Sequence, residues 1–197
     1  MGSADDALDF ELLPGGCSGR AMISTSRLLL RPFTVSDAPK LFVMSIEEGM
    51  RRWIPDQVYR DEQHAEQVAR ALMAFTAQSP DPGVRPYVLG IEDQNTGVLI
   101  GHVGLSAARG SVEIGYAIEQ QLQGRGLATE AVIAMSGWAL TELSLPEVLG
   151  IVEADNVHSC RVLEKAGFVL EDDEIKIVDG VSRTRRIYRC RQDRRSA

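Results

Sequence analysis

The chain has 197 residues, 44% of them hydrophobic and 25% charged, which predicts one globular domain with a hydrophobic core. The apolar runs are short and interrupted, which argues against a membrane span, and the acidic start argues against a signal peptide. The three cysteines lack paired spacing, which argues against disulfides and a cysteine-ligated metal. We therefore expect a cytoplasmic protein. The formal charge is −7 overall and roughly −13 without the arginine-rich segment 181–197. Such an acidic body disfavours nucleic-acid binding. It suits a cationic amine substrate, and ordinary solvated surface charge is the alternative.

The N-terminal half is predicted to contain one strand and two helices. Residues 1–22 are rich in Gly and Asp with little periodicity, and they predict an unstructured extension. A first strand is expected at 27–31. A helix should follow the N-cap Ser36, and a second should cover 61–77, with a loop at 53–55 between them.

The C-terminal half alternates strands with two more helices. Three antiparallel strands are predicted at 87–92, 98–105 and 112–118. The later elements are a helix from about 126 to 143, a strand at 148–153, a helix at 159–166, and a hairpin of 168–170 with 184–190. This order predicts an α+β domain over residues 23–191, followed by a basic tail at 192–197.

The most informative motif is Gln-Leu-Gln-Gly-Arg-Gly at 121–126, between a predicted strand and a predicted helix. The first turn of a helix has unpaired N–H groups and partial positive charge, and two glycines let the backbone approach an anion closely. The motif therefore predicts a cradle for a pyrophosphate. It lacks the Lys of a P-loop, and it lacks the third glycine and parallel strand of a dinucleotide-binding loop. A simple tight turn is the remaining alternative.

Four segments, in order, resemble motifs of the GCN5-related N-acetyltransferase (GNAT) superfamily. The loop Gln121-x-x-Gly124-x-Gly126-Leu127-Ala128 is similar to its acetyl-CoA motif. The other three segments are 27–33 with Asp37-Ala38, 100–105 with 112–116, and 156–168. The resemblance covers roughly residues 25–190, and it points to the branch that contains ribosomal-protein N-terminal (alanine or serine) acetyltransferases.

The resemblance implies a GNAT fold, in which a mixed, mostly antiparallel sheet splays between two parallel strands and is flanked by helices. It implies acetyl-CoA as the co-substrate, without a metal. Pantetheine would lie between the strands at 112–118 and 148–153, with the backbone N–H near Ile118 as the oxyanion donor. The amides that would hold the pyrophosphate belong to Gln123, Gly124, Arg125, Gly126, Leu127 and Ala128. The Arg125 side chain would add positive charge at the pyrophosphate, and the alternative is that it is a solvated loop residue.

Asn156 and Ser159 would complete the cofactor site. The resemblance assigns Asn156 to the pantetheine amides and Ser159 to a place near the sulfur, as a candidate proton donor. Their local alternatives are an Asx turn and a helix N-cap. Many family members carry a Tyr one turn further along this helix, but residues 162–164 are Val-Leu-Glu here, which leaves the leaving-group acid open. We interpret Cys160 as a small helix-packing residue rather than a nucleophile.

The acceptor side has weaker signals. Glu113 lies amid apolar strand residues, where burial would raise the pKa of its carboxyl and suit a base, with a structural salt bridge as the alternative. Trp53, Tyr87 and His102 are candidates to line the acceptor pocket, and core packing is the alternative for each. We therefore expect an N-acetyltransferase, monomeric or homodimeric, that acts on a peptide or protein N-terminus or on a small amine. A CoA-binding sensor domain without turnover is the alternative.

Overall fold

The computed structural model describes residues 11–13, 22–178 and 181–192, and these form five α-helices and nine strands. The helices are α1 (Ala38–Ser45), α2 (Glu48–Trp53), α3 (Glu62–Thr76), α4 (Leu127–Thr141) and α5 (Val157–Lys165). The strands are β1 (Glu11–Leu13), β2 (Met22–Ser24), β3 (Leu28–Arg31), β4 (Tyr87–Asp93), β5 (Val98–Ala108), β6 (Ser111–Ile118), β7 (Glu147–Glu153), β8 (Val169–Val178) and β9 (Val181–Arg191).

The described strands form one mixed sheet in the order β1-β2-β3-β4-β5-β6-β7-β9-β8. Neighbours are antiparallel except β6 and β7, which run parallel. The two parallel strands share a single register pair, Glu113 with Leu149, whereas β5 and β6 pair over eight positions. Strands β6 and β7 therefore diverge beyond Glu113, and a gap opens between their carboxyl-terminal halves. This arrangement confirms the predicted α+β sheet that splays at a parallel pair.

Helices cover both faces of the sheet. On one face α4 packs over the central strands, and the Tyr87 ring of β4 stacks on Trp138 with 5.1 Å between ring centroids. On the other face, α1 and α3 pack a smaller apolar cluster against the sheet. Side chains alternate along β6, so Tyr116 and Ile118 point to the α4 face while Glu113 and Ala117 point to the α1 face.

The N-terminal predictions need three corrections. Ser36 was predicted to be the N-cap of the first helix, but it lies inside a 3-10 turn, Val35–Asp37, and Asp37 is the N-cap of α1. Glu11–Leu13 was predicted within an unstructured extension but pairs with β2 as strand β1, and the other residues before Met22 lie outside the described ranges. Trp53 was predicted in a loop but is the last residue of α2. This short helix has Glu48 in its first turn and Arg51 and Arg52 in its last, an order that complements the helix dipole.

The C-terminal elements are longer than the sequence indicated. Helix α5 begins at Val157 because Asn156, rather than Ser159, is its N-cap. The closing hairpin extends over the full lengths of β8 and β9, which pair antiparallel, while its predicted turn at 179–180 and residues 193–197 of the basic tail lie outside the described residues. None of the described helices is both long and apolar enough to cross a bilayer.

Candidate active site

The predicted pyrophosphate loop joins β6 to α4. Gly124 and Gly126 have φ angles of +77° and +80°, a conformation that L side chains rarely adopt. Gly126 is the N-cap of α4, and Glu130 N donates to Gly126 O at 3.0 Å to close the first turn of the helix. The N–H groups of Leu127 and Ala128 therefore have no acceptor inside the helix, and they can bind an anion.

Hydrogen bonds from neighbouring elements hold the loop in this shape. Gln123 Nε2 donates to Ile118 O at 2.9 Å, which ties the loop to the end of β6. The Arg125 side chain is exposed, and its backbone oxygen accepts from Arg27 Nη1 at 3.0 Å. A Cβ added at Gly124 would meet no atom within 4 Å, so the centre of the loop is open to a ligand.

Arg27 and Glu130 stabilise the loop, and sequence analysis assigned neither residue this role. Glu130 is only 2% exposed and accepts from Thr25 Oγ1 at 2.6 Å, Arg27 N at 3.0 Å and Arg27 Nε at 2.6 Å. Burial alone would raise the pKa of the Glu130 carboxyl, but the bonds from Thr25 and Arg27 outweigh it and lower that pKa. Since 103 residues separate Arg27 from Glu130, no local pattern could reveal the pair.

One edge of β6 faces the gap. Glu119 N donates to Ile100 O on β5 at 2.9 Å. Backbone N–H groups point alternately to the two sides of a strand, so the Ile118 N–H points away from β5 and into the gap. The predicted oxyanion donor therefore lies at the open end of the gap, beside the loop that Gln123 fixes to Ile118.

Across the gap from β6 lies the N-terminus of α5. Asn156 Oδ1 accepts from Ser159 N at 3.2 Å, so Asn156 caps the helix and its side-chain NH2 is the group left to bind a ligand carbonyl. Tyr116 extends from β6 to this helix, with its hydroxyl 2.7 Å from Ser159 Oγ and 3.1 Å from Ser159 O. Burial raises the pKa of Tyr116 to about 12. Sequence analysis missed Tyr116 as a site residue.

His102 lies on the α1 face of the sheet. It pairs in register with Ala117, one residue before Ile118. Its side chain is buried, which lowers the pKa of the imidazole to about 4, so the ring is neutral at pH 7. Among the described residues, Nε2 has no hydrogen-bond partner. The ring borders a cavity of about 10 Å³ that is also lined by Leu41, Met44, Ser45, Met50 and Tyr59.

Glu113 lies at the closed end of the gap. Burial raises the pKa of its carboxyl, while the charge of Arg185 and a hydrogen bond with Ser106 oppose that rise. Five residues separate Glu113 from Ile118, about 16 Å along an extended strand. This carboxylate therefore cannot contact a group bound at Ile118, and proton transfer between them would need a chain of several waters.

The other two predicted acceptor residues have different surroundings. The Arg52 guanidinium lies over the Trp53 ring, 4.4 Å from the ring centroid, at the end of α2. Tyr87 is 2% exposed and packs in the core on the α4 face. Tyr87 is therefore a core residue on the face opposite His102, which corrects its assignment to the acceptor pocket.

A second cavity lies away from the gap. An open cavity of about 420 Å³ lies at the turn between β5 and β6, beside Arg109 and the start of β7 at Glu147. The length of β6 separates it from the glycine loop. Across the part of the chain that the structure describes, no group of three or more His, Cys, Asp or Glu side chains is arranged to hold a metal.

Comparisons with known proteins agree with this geometry. The family model of the acetyltransferase (GNAT) domain matches residues 27–169. YnaD from Bacillus subtilis strain 168, an uncharacterized N-acetyltransferase, is 25% identical over 147 residues, which cover 74% of this chain and 81% of the relative.

Two solved structures superpose on most of the chain. The ribosomal-protein-S5-alanine acetyltransferase from Vibrio fischeri has a TM-score of 0.70 at 19% identity, covering 88% of this chain and 97% of that one. The microcin C7 self-immunity acetyltransferase MccE, in complex with acetyl-CoA and AMP, has a TM-score of 0.69 at 18% identity. The superposition covers 85% of this chain and 93% of that one. At these identities the likeness establishes the fold.

Proposed function

The chain belongs to the GNAT acetyltransferase family, and on this premise we propose that it moves the acetyl group of acetyl-CoA to a primary amine by direct attack in a ternary complex. The observation that carries the proposal is the gap between β6 and β7. The unpaired amides of α4 lie at its mouth, and the Ile118 N–H lies on its edge. An extended pantetheine arm can hydrogen-bond to such an unpaired strand edge as an added strand does.

The donor would be held mainly by backbone groups. The amides of residues 123–128 surround the open centre of the glycine loop and would bind the pyrophosphate, with the exposed Arg125 adding positive charge. The free NH2 of Asn156 would donate to a pantetheine carbonyl from the α5 side of the gap. These contacts select a CoA ester by its phosphates and its arm, and they leave the acceptor unspecified.

The chemistry would depend on the Ile118 N–H and on three side chains. The Ile118 N–H would stabilise the carbonyl oxygen as negative charge develops on it. On the α1 face, the neutral His102 would reach the attacking amine through water, because its Nε2 is buried, and a chain of waters would relay the amine proton to Glu113. On the α5 side, Ser159 would face the leaving sulfur.

We infer that the acceptor approaches from the α1 and α2 side, where His102 lies and where Trp53 would form part of the wall. A peptide or protein N-terminus is favoured by the likeness to the ribosomal-protein acetyltransferase, and a small amine is the other class. A cytoplasmic location is proposed because Cys160 and Cys190, among the described residues, are free thiols.

The proposal is tested by incubating the protein with acetyl-CoA and a panel of N-terminal peptides, polyamines and aminoglycosides, with mass spectrometry of the products. We expect one acetyl group on at least one amine and equimolar CoA release. Tight binding of acetyl-CoA with no acetylated product from any amine would instead support a CoA-binding domain without turnover.

A further inference from the structure

The side chain of Tyr116 brings a phenol from β6 to the N-terminal turn of α5. Residues 162–164 of α5 are Val-Leu-Glu, so the helix itself offers no phenol there. Tyr116 instead reaches α5 from β6, and its hydroxyl lies 2.7 Å from Ser159 Oγ. Tyr116 precedes Ile118 by two residues, about 7 Å along the strand. The hydroxyl pair is therefore beside the place where the thioester must bind if the proposed function is right.

The two hydroxyls can share their protons in two ways. In the first, Tyr116 donates to the Ser159 carbonyl oxygen at 3.1 Å and accepts from Ser159 Oγ, so both protons are used inside the pair. In the second, Tyr116 donates to Ser159 Oγ, and the Ser159 proton is free to point into the gap. Only the second arrangement gives the leaving sulfur a hydrogen-bond donor.

From this geometry we propose that Tyr116 is a positioning residue, which donates to Ser159 Oγ and so directs the Ser159 O–H at the leaving sulfur of CoA. This inference rests on the proposed acetyl transfer. The amine nitrogen bonds to the acetyl carbon, and the bond from that carbon to sulfur breaks with its electron pair on sulfur. Ser159 hydrogen-bonds to the resulting thiolate, which takes a proton from water on release. The amine loses its proton to a chain of waters that leads to Glu113.

The surroundings of Tyr116 keep its phenol protonated. Burial raises the pKa of Tyr116 to about 12, so the hydroxyl remains a donor at any physiological pH. The other polar groups near it are the Cys160 thiol and, beyond that thiol, Arg186, whose Nη1 lies 3.8 Å from Cys160 Sγ. Among the described residues, no carboxylate or amine forms a hydrogen bond with the Tyr116 hydroxyl, so its contact with Ser159 is undisturbed.

The test measures the pKa of the CoA thiol in the binary complex, from thiolate absorbance corrected for the protein alone. We expect a value below that of free CoA in the wild type. Tyr116→Phe should raise it by about half to one unit, the effect of one lost hydrogen bond. The same variant should lower kcat by about three- to tenfold with little change in KM for acetyl-CoA. Tyr188→Phe is the matched control. The Tyr188 hydroxyl also donates to α5, but its acceptor is Glu164 Oε1, at 3.0 Å, rather than Ser159.

A double-mutant cycle separates positioning from simple packing. If Tyr116 acts through Ser159, then Tyr116→Phe/Ser159→Ala should behave as Ser159→Ala alone in both measurements. Additive losses, or an unchanged thiol pKa in Tyr116→Phe, would overturn the inference. The thiol titration needs no acceptor, so it remains decisive if no amine is acetylated and the proposed function fails. Absence of CoA binding would overturn both.

Discussion

The Arg27 guanidinium and the Glu130 carboxylate form an ion pair, 2.6 Å between Nη2 and Oε2, that joins the turn before β3 to the first turn of α4. The same guanidinium donates from Nη1 to the backbone oxygen of Arg125 at 3.0 Å. Glu130 therefore fixes Arg27, and Arg27 fixes the loop that is proposed to hold the pyrophosphate. The pair connects the N-terminal part of the domain to its cofactor site.

We predict that Arg27→Ala weakens acetyl-CoA binding about three- to tenfold, because the loop loses a hydrogen bond that orders it before the ligand arrives. Arg27→Lys should recover part of the stability but little of the affinity, since a single ammonium cannot bridge Glu130 and Arg125 as a guanidinium does. Calorimetric titration with acetyl-CoA measures the affinity, and urea unfolding measures the stability.

Arg70→Ala is the control for this variant, because Arg70 forms an exposed pair with Glu66 on α3, remote from the loop. It should bind acetyl-CoA as the wild type does. Wild-type affinity in Arg27→Ala would show that the loop keeps its shape without the pair.

The parts of this site that sequence could predict are local in the chain. Gly124 and Gly126 were found because a left-handed turn before a helix has a compositional signature over a few residues. The Tyr116–Ser159 contact joins residues 43 apart, and it depends on sheet register and on how α5 packs. Tyr87 was misassigned because the alternation in β4 does not reveal which face carries α4.

His102 gives the fold a pH dependence of its own. The pKa of its imidazole is about 4 in the folded protein and about 6.5 when unfolded, so the unfolded chain binds the proton first as pH falls. Stability from this group is therefore complete above pH 6.5 and is lost toward pH 4. We predict that His102→Gln removes about 1.5 kcal/mol of the decline between pH 6.5 and pH 5, measured by urea unfolding.

His158→Gln, at an exposed position of α5 that does not line this cavity, is the control for loss of an imidazole elsewhere. An unchanged slope in His102→Gln would mean that the imidazole is hydrated, for example by water in its adjoining cavity. Loss of acetylation in His102→Gln without loss of acetyl-CoA affinity would place the ring on the acceptor side.

Glu113→Gln should lower kcat by no more than about tenfold, because about 16 Å of strand separates this carboxylate from Ile118 and several waters would have to relay the proton. Affinity for acetyl-CoA should be unchanged. Glu147→Gln is the control, because this carboxylate of β7 is bound by Arg189 and Arg191 at the far end of the strands. A rate equal to wild type across pH in Glu113→Gln would leave Glu113 as a structural carboxylate held near Arg185.

The glycine loop as the acetyl-CoA site is the central claim, and calorimetric titration of Gly124→Asp with acetyl-CoA tests it most directly. The control is Gly110→Asp, which has the same left-handed φ and the same open space but lies in the β5–β6 turn. We predict that Gly124→Asp weakens binding at least about tenfold, because a carboxylate would face the pyrophosphate, while Gly110→Asp binds as wild type. Equal affinity in the two variants would contradict the assignment of this loop.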